Sequence, residues 1–338
     1  MATMDDIARR LGVTKGTVSK ALSGAADVSE TMRKQVLETA VELGYNRINR
    51  QGSKKRLCIF VEHMAYQKPE DFGWEIITGF RKLAEPAQYA VDIVELDEET
   101  QKATPYDEYM LHHNYVGAFV LGVPMPDPWV KDFATCRTPT VLLDNWVMNN
   151  PAVTHVGINN FEAMDLSIGL LKELGHKKIG YLSGALGAYV YRDRYKAFCQ
   201  ALRQHRLEAD PALAGFSLYT QVTLARHLPR LLKNGCTAIV CSYDLLAHSV
   251  MVHCAELGLR IPQDLSIVGF DDIPLCRYTT PPLTTIRQDR TALGKSAFYA
   301  LNSQIEQVPI STIQLHARLI ERGSTGPVPE RAGIENSI

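Results

Sequence analysis

The 338-residue sequence lacks any CxxC pair, and its seven cysteines (58, 136, 199, 236, 241, 254 and 276) are scattered and odd in number. That argues against a disulfide scaffold or a thiolate zinc site. No stretch approaches the roughly eighteen apolar residues that cross a membrane. The opening MATMDDIARRLGV carries aspartates where a signal peptide needs a basic end and an apolar run, so a cytoplasmic protein with no membrane partner is expected. The ten histidines form no HExxH, and no GxGxxG or Walker-type glycine-lysine loop is present, which leaves zinc-hydrolase, dinucleotide and nucleotide-hydrolysing chemistry without their usual parts. His248 and His253 are five apart on an expected helix, poorly spaced for one metal, and His112-His113 is expected at a helix end. With no nucleophile–base pair in view, no enzyme, cofactor or metal is expected. An excess of charge is also missing: 36 Lys and Arg face 37 Asp and Glu, net -1. A uniformly basic nucleic-acid coat is thereby excluded.

What charge there is lies unevenly. Residues 1–56 hold eleven Lys and Arg against six acids, or +5, and the remaining 282 carry -6. A small basic head on a mildly acidic body suggests that one end meets a polyanion. The head reads as three short helices. Thr3 and Asp6 form a capping pair, with Ile7, Ala8 and Leu11 following at helical spacing until Gly12. Thr14 caps a second helix whose inner side is Val18, Ala21 and Leu22. Ser29 caps a third, with Val36, Ala40 and Leu43 on one face and Gly44 at its end. Two helices separated only by Gly12-Val13-Thr14 fit a helix-turn-helix. Lys15, Thr17, Ser19 and Lys20 are free to face outward, short polar and basic side chains suited to a DNA major groove. A three-helix protein-interaction module with merely solvated lysines is the other reading of these residues.

The body alternates apolar strands with amphipathic helices. Strands are expected at 57–61, 91–94, 116–121, 140–143, 178–182, 238–241 and 265–270, with helices at 74–83, 165–174, 194–202 and 245–257. This rhythm predicts parallel α/β units. The length, at roughly 150 residues per domain, suits a head and a body large enough for two lobes. Small-molecule sites in such sheets lie beyond the carboxyl ends of the strands or between lobes.

Several segments then resemble one family throughout. Residues 3–8 (TMDDIA), 12–24 (GVTKGTVSKALSG), 28–31 (VSET) and 43–45 (LGY) look like the opening of the lactose/galactose repressor family of bacterial transcriptional regulators. In the body, 173–180 (ELGHKKIG), 257–272 (LGLRIPQDLSIVGFDD), 281–286 (PPLTTI) and 319–324 (LIERGS) continue the match in order, over about residues 3–325. The resemblance implies an all-α helix-turn-helix DNA-binding head joined to a two-lobed α/β periplasmic-binding-protein-like domain, with parallel sheets and three crossovers. It places the head at 1–46, a basic linker at 47–56, an effector-binding and dimerisation domain at 57–325, and a flexible tail at 326–338. Lobe 1 is expected at about 57–160 with 290–320, and lobe 2 at about 161–289 with 321–325. The family acts on near-palindromic double-stranded DNA operators and senses a small molecule held between the lobes. Only 16 residues follow Arg322, several of them Gly or Pro, so no tetramerising heptad is expected and a homodimer is.

The resemblance also assigns residues. Lys15 and Gly16 stand where the family reads bases, and Thr17, Ser19 and Lys20 where it meets backbone or base edges. Ser29, Thr31 and Arg33 are candidate phosphate contacts. The hinge departs from the family pattern: Tyr45 is followed by NRINRQGSKKRL, without the usual proline, alanine-arginine pair or wedging leucine. Arg47, Arg50, Lys54, Lys55 and Arg56 are expected to track phosphates instead. Arg194 matches the position whose guanidinium forks onto a ligand, within a pattern where Ala197 replaces glycine. Asp244 matches an acceptor of ligand hydroxyls, Asn159 a ligand-contacting position, and Asp271 lies at a strand end. Phe72, Trp74, Asn145 with Trp146, and Tyr219 are candidates for the wall. The expected effector is a sugar or sugar phosphate. The stretch 283–322 looks closer to the purine-responsive branch, so a purine or other corepressor, or an unresponsive constitutive binder, are the alternatives. A transport receptor with the same body would not carry the basic head.

Overall fold

The computed structural model describes residues 2–45, 54–123 and 127–329. Three helices open the chain: α1 (Met4–Leu11), α2 (Lys15–Leu22) and α3 (Glu30–Glu42). Each starts at the expected cap. The Thr3 hydroxyl accepts the Asp6 amide while the Asp6 carboxylate accepts the Thr3 amide at 2.8 Å, and Gly12 ends α1 at φ 68°. Thr14 accepts from Thr17 N and Ser29 from Met32 N. Caps of this kind are worth about 1 kcal/mol each, enough to matter in eight-residue helices. Ile7, Ala8, Val18, Ala21, Leu22, Val36, Leu37 and Ala40 close the small core.

The whole chain divides into two compact units, and the head falls in the first. Unit 1 runs to Gly157 and takes back Arg290–Ile313; unit 2 is Ile158–Asp289 with the chain from Gln314. In unit 1 the order is β1 (Lys55–Val61), α4 (Phe72–Ala84), β2 (Tyr89–Glu95), α5 (Glu98–Ala103), α6 (Tyr106–His112), β3 (Tyr115–Leu121), α7 (Pro128–Phe133), β4 (Thr140–Leu143) and β5 (Val153–Ile158). In unit 2 come α8 (Asn160–Glu173), β6 (Ile179–Ser183), α9 (Tyr189–Gln204), β7 (Ala214–Phe216) and α10 (Thr220–Val222), which runs through a π turn into α11 (Leu228–Lys233). Then follow β8 (Ala238–Cys241), α12 (Asp244–Glu256), β9 (Ser266–Asp271) and β10 (Thr284–Arg287). The chain closes with α13 (Arg290–Ile305), β11 (Thr312–Leu315) and β12 (Arg318–Ile320). The sheets are ordered β11-β5-β4-β3-β1-β2 and β12-β10-β9-β8-β6-β7. Neighbours in the second sheet run parallel except β12, which is antiparallel to β10. Strands buried on both faces explain the continuous apolar runs.

In unit 1, α4 and α13 touch backbone to backbone. A Cβ on Gly294 would lie 1.9 Å from the Ile76 carbonyl oxygen, and one on Gly79 would lie 2.3 Å from that of Thr291. No side chain fits either position, so the returning helix is registered by its glycines. On the head side of the same unit, Leu111 packs against the head core and Arg137 Nη1 donates to the Val41 and Glu42 carbonyls at 2.7 Å each. Those are carbonyls of the last turn of α3, where Val41 O also accepts from Gly44 N at 3.0 Å, so the arginine ties the helix end to the rest of unit 1.

Four expectations are corrected. The third crossover falls after Ile313, not near 320, because β12 pairs with β10 and belongs to the second sheet. The linker is shorter than 47–56, because Lys55 and Arg56 already pair in β1. Arg56 is not a free phosphate tracker: it pairs with Asp92, donates to the His113 carbonyl at 2.9 Å and lies over the Tyr115 ring. The tail from 326 begins anchored, with His176 Nε2 3.0 Å from the Gly326 carbonyl and Val328 N donating to Leu174 O at 2.8 Å. Arg47 and Arg50, and residues 330–338, lie outside the described residues.

At the end of β1 a buried polar group ties three segments together. The Gln101 amide donates to Glu62 at 2.9 Å and to Asp127 at 3.0 Å, and its carbonyl accepts the Trp129 amide at 3.2 Å. Burial, and then the Asp127 carboxylate beside it, push Glu62 up to about 8. A carboxyl raised in the folded state binds its proton more tightly there than when unfolded. Its stabilising contribution is therefore complete below the ordinary carboxylate range and is lost as pH rises through about 8. Glu62→Gln is predicted to flatten the fall in unfolding midpoint between about pH 5 and 8 relative to wild type, measured by thermal melts. Parallel pH profiles for the two proteins would contradict the raised Glu62 carboxyl.

Candidate DNA interface and effector site

The second helix of the helix-turn-helix keeps Val18, Ala21 and Leu22 inward. Lys15, Gly16 and Lys20 are exposed, while Thr17 and Ser19 are half-buried. Both lysines have aspartate partners: Lys15 Nζ lies 2.7 Å from Asp5 Oδ2, and Lys20 pairs with Asp27. The Asp5 carboxylate raises the Lys15 ammonium above its ordinary value. The Thr17 hydroxyl lies 3.0 Å from that of Thr14. Of the three candidate phosphate contacts, Ser29 caps α3, Thr31 is exposed, and Arg33 donates to the Ala25 carbonyl at 2.8 Å. Lys54 and Lys55 are exposed where the body begins.

In unit 2 the parallel strands bring their carboxyl ends into one row: Ser183 on β6, Ser242 after β8, Asp271 on β9 and Gln288 after β10. Arg194 of α9 is buried there, 4 % exposed. Its guanidinium lies 3.7 Å over the Phe270 ring. Nη1 donates to the Ser242 carbonyl at 2.5 Å and sits 3.7 Å from Asp271 Oδ1, and Nε is 3.4 Å from Asn160 Oδ1. Asp271 is fixed by Gln288, whose amide donates to Oδ1 at 2.6 Å, and it adopts φ 113°. A non-glycine residue there stores about 1–3 kcal/mol of strain. Beside this cluster the Ser183 and Ser242 hydroxyls and the Gln288 carbonyl oxygen are buried with no hydrogen-bond partner. Buried polar atoms are normally paired, and orphans gathered at one place mark where a polar ligand or water belongs.

The structure brings together Arg194 and Asp271 of the expected effector residues, and adds Asn160, Ser242, Phe270 and Gln288. Asn159 is spent as the cap of α8, accepting from Glu162 N at 3.1 Å, so the neighbouring Asn160 is the residue that meets Arg194. Asp244 is buried, with one oxygen accepting from Thr285 Oγ1 at 2.6 Å and the other from Ile273 N at 3.0 Å. Burial pushes it up to about 6 against the pull of those bonds. Tyr219 is 66 % exposed at the start of α10. The remaining candidates belong to unit 1. Phe72 opens α4 beneath the Arg290 guanidinium, and Trp74 follows it, partly exposed. Asn145 is buried, donating to the Val123 carbonyl and accepting the Trp146 amide. Trp146 stacks at 4.0 Å on His155, whose Nε2 accepts from Val147 N and whose Nδ1 faces the Ser311 carbonyl. No group of three His, Cys, Asp or Glu among the described residues is placed to hold a metal ion.

Comparison with known proteins bears on both regions. The profile of "Bacterial regulatory proteins, lacI family" matches residues 3–47, and that of the "Periplasmic binding protein-like domain" matches 168–325. The chain belongs to the LacI family. Among curated proteins it is 29% identical to the HTH-type transcriptional repressor CytR of Escherichia coli K12, over 97% of both chains. It is 28% identical to the repressor PurR of Escherichia coli O139:H28, over 98% of this chain and 99% of that one. Among solved structures, a transcriptional regulator CelR–cellobiose complex aligns with a TM-score of 0.67 at 23% identity, over 96% of this chain and 100% of that one. A lac repressor dimer bound to operator and the anti-inducer ONPF aligns with 0.65 at 22%, over 96% and 99%. These last two establish the shared fold. As a LacI-family protein the chain is a sequence-specific DNA-binding regulator whose operator affinity is modulated by a small-molecule effector, and not an enzyme.

The two bonds to Asp244 join α12 to β10 and to the segment after β9. Asp244→Leu, of similar bulk, leaves the Thr285 hydroxyl and the Ile273 amide buried without an acceptor. Urea unfolding is predicted to show a loss of about 2–4 kcal/mol, and Asp244→Asn, which keeps one acceptor, a smaller one. A Leu variant as stable as wild type would show that these bonds do not brace unit 2.

Proposed function

We propose that this regulator is a repressor that binds a near-palindromic double-stranded DNA operator as a cytoplasmic homodimer, with a carbohydrate or carbohydrate phosphate as its effector. Repression is supported by the two curated relatives, both named repressors and both aligned over nearly the whole chain. A two-fold dimer presents two heads to two half-sites, the geometry a near-palindrome requires. Unit 2 carries a surface suited to a second copy. Leu245 and Val252, seven apart on one face of α12, and Leu218 and Tyr278 are all large apolar residues open to solvent. On the DNA side, Lys15, Gly16, Thr17, Ser19 and Lys20 read the groove and Lys54 and Lys55 add attraction to phosphates.

The observation that carries the effector assignment is the buried Arg194 beside three orphaned polar atoms. A guanidinium offers five donors in a fixed fork, matched to vicinal hydroxyls or a carboxylate or phosphate. Asp271, Asn160 and the Ser183, Ser242 and Gln288 side chains supply the acceptors and hydroxyls a polyol needs around it. Solved relatives of the same fold that hold cellobiose and ribose support the carbohydrate class. To move operator occupancy from mostly bound to mostly free, the effector must prefer one state by several kcal/mol.

The test is calorimetric titration of the wild-type chain with sugars, sugar phosphates and purines, repeated on Arg194→Met, which keeps the stem on Phe270 and removes the donors. Heat from a sugar or its phosphate, lost in the variant, is the expected result. Heat from purines alone would replace the carbohydrate class with the purine one. Silence across the panel would favour a constitutive DNA binder.

A further inference from the structure

The recognition helix carries two lysines, and each is held by a carboxylate from outside the helix, Lys15 by Asp5 of α1 and Lys20 by Asp27 of the following loop. On a face meant for a polyanion this is costly, because each aspartate repels phosphate. An exposed pair of this kind also adds little to stability. Asp5 is not needed to start its helix either: the cap of α1 is made by Thr3 and Asp6. Asp5 stands in the first turn of α1, where its charge suits the helix dipole, but that task does not require the reach it makes, 2.7 Å to the first residue of the helix that enters the groove.

Resting on the DNA-reading assignment above, we propose that Asp5 and Lys15 act together as the reader of one G·C base pair in each half-site, with Lys15 on the guanine and Asp5 on the cytosine of the opposite strand. In the major groove guanine offers O6 and N7, two adjacent acceptors, and its partner cytosine offers the N4 amine, a donor. Guanine O6 and cytosine N4 are joined by a Watson–Crick hydrogen bond and lie about 2.9 Å apart. The Lys15 ammonium and the Asp5 carboxylate are 2.7 Å apart and of opposite donor and acceptor character. Laid edge to edge, the ammonium donates to O6 and N7 while the carboxylate accepts from N4. An A·T pair breaks the match, since its amine stands between its two acceptors and the thymine methyl crowds the outer one. Gly16, with no side chain beside Lys15, leaves room for this approach: only the Thr14 hydroxyl lies near its missing Cβ, at 3.6 Å. A lysine alone would accept guanine whatever the opposite strand presents; the aspartate makes the reading depend on both strands.

The full-length protein is used to select sites from a library of randomised duplexes, and the selected site is then synthesised with 2-pyrimidinone, which lacks the N4 amine, in place of the cytosine. Wild type is expected to retain one invariant G·C pair per half-site and to lose about tenfold in affinity on the modified duplex. Asp5→Ala is expected to relax that position and to bind modified and unmodified duplexes equally. Asp5→Asn, checked for native helicity by circular dichroism, keeps one acceptor oxygen and removes the charge; it is expected to retain part of the preference, between wild type and Asp5→Ala. If Asp5→Ala selects the same site and binds all duplexes more tightly, Asp5 merely repels phosphate and the inference falls. An equal loss on the modified duplex for wild type and Asp5→Ala overturns it too. A wild-type chain that selects no sequence overturns the DNA-reading assignment itself.

Discussion

Unit 2 depends on how it keeps the Arg194 guanidinium out of water. Burying an isolated charge costs several kcal/mol even after relaxation, and the cost is tolerable only when partners replace the lost water. Here the replacement is assembled from elements far apart in the chain: the Phe270 ring beneath, the Ser242 carbonyl at the end of β8, Asp271 at the end of β9 and Asn160 at the start of α8. The Ser242 carbonyl, Phe270 and Asp271 stand where they do because parallel strands end side by side, while Asn160 comes from the start of α8. The backbone at Asp271 is held in an unfavourable conformation, and Gln288 fixes its carboxylate. Backbone strain of this kind persists only where the surrounding structure holds it in place.

A second buried aspartate behaves differently. Asp272, next in sequence, is clamped by Arg287 and Arg322, each at 2.6 Å. Although burial alone would raise it, the two guanidinium groups hold its carboxyl below the usual range. Adjacent aspartates are thus divided between tasks: Asp271 faces the Arg194 cluster, while Asp272 ties β9 to β10 and to the segment after β12. In unit 1 the comparable fixed point is the glycine contact between α4 and α13, which leaves no slack in how the returning helix lies on the first.

Much of this was legible in the sequence, and the division follows from range. The caps Thr3, Thr14 and Ser29 act within three residues, so the three head helices could be read at nearly their true bounds. Strands at 140–143 and 238–241 stood out as short apolar runs and were placed to the residue. The strands at Val153–Ile158, Ala214–Phe216, Thr284–Arg287, Thr312–Leu315 and Arg318–Ile320 were not anticipated, since polar or short stretches become strands only through their neighbours. The third crossover depends on β12, whose pairing with β10 is likewise set by its neighbour. Family position singles out Arg194 and Asp271, which stand together in the fold, whereas the side chain of Asn159 is taken up locally as a helix cap and Asn160, next to it, meets Arg194, a contact that no local pattern announces. The Glu62–Gln101–Asp127 group joins residues far apart in sequence, and no spacing rule announces it.

The account makes DNA binding and effector binding two ends of one equilibrium, and thermodynamic linkage gives a strict test. Operator affinity should be measured across effector concentrations, and effector affinity across operator concentrations, on the same full-length protein. The account predicts a change by the same factor in both directions, roughly five- to a hundredfold. An effector that binds at Arg194 with no change in operator affinity, measured either way, would contradict it.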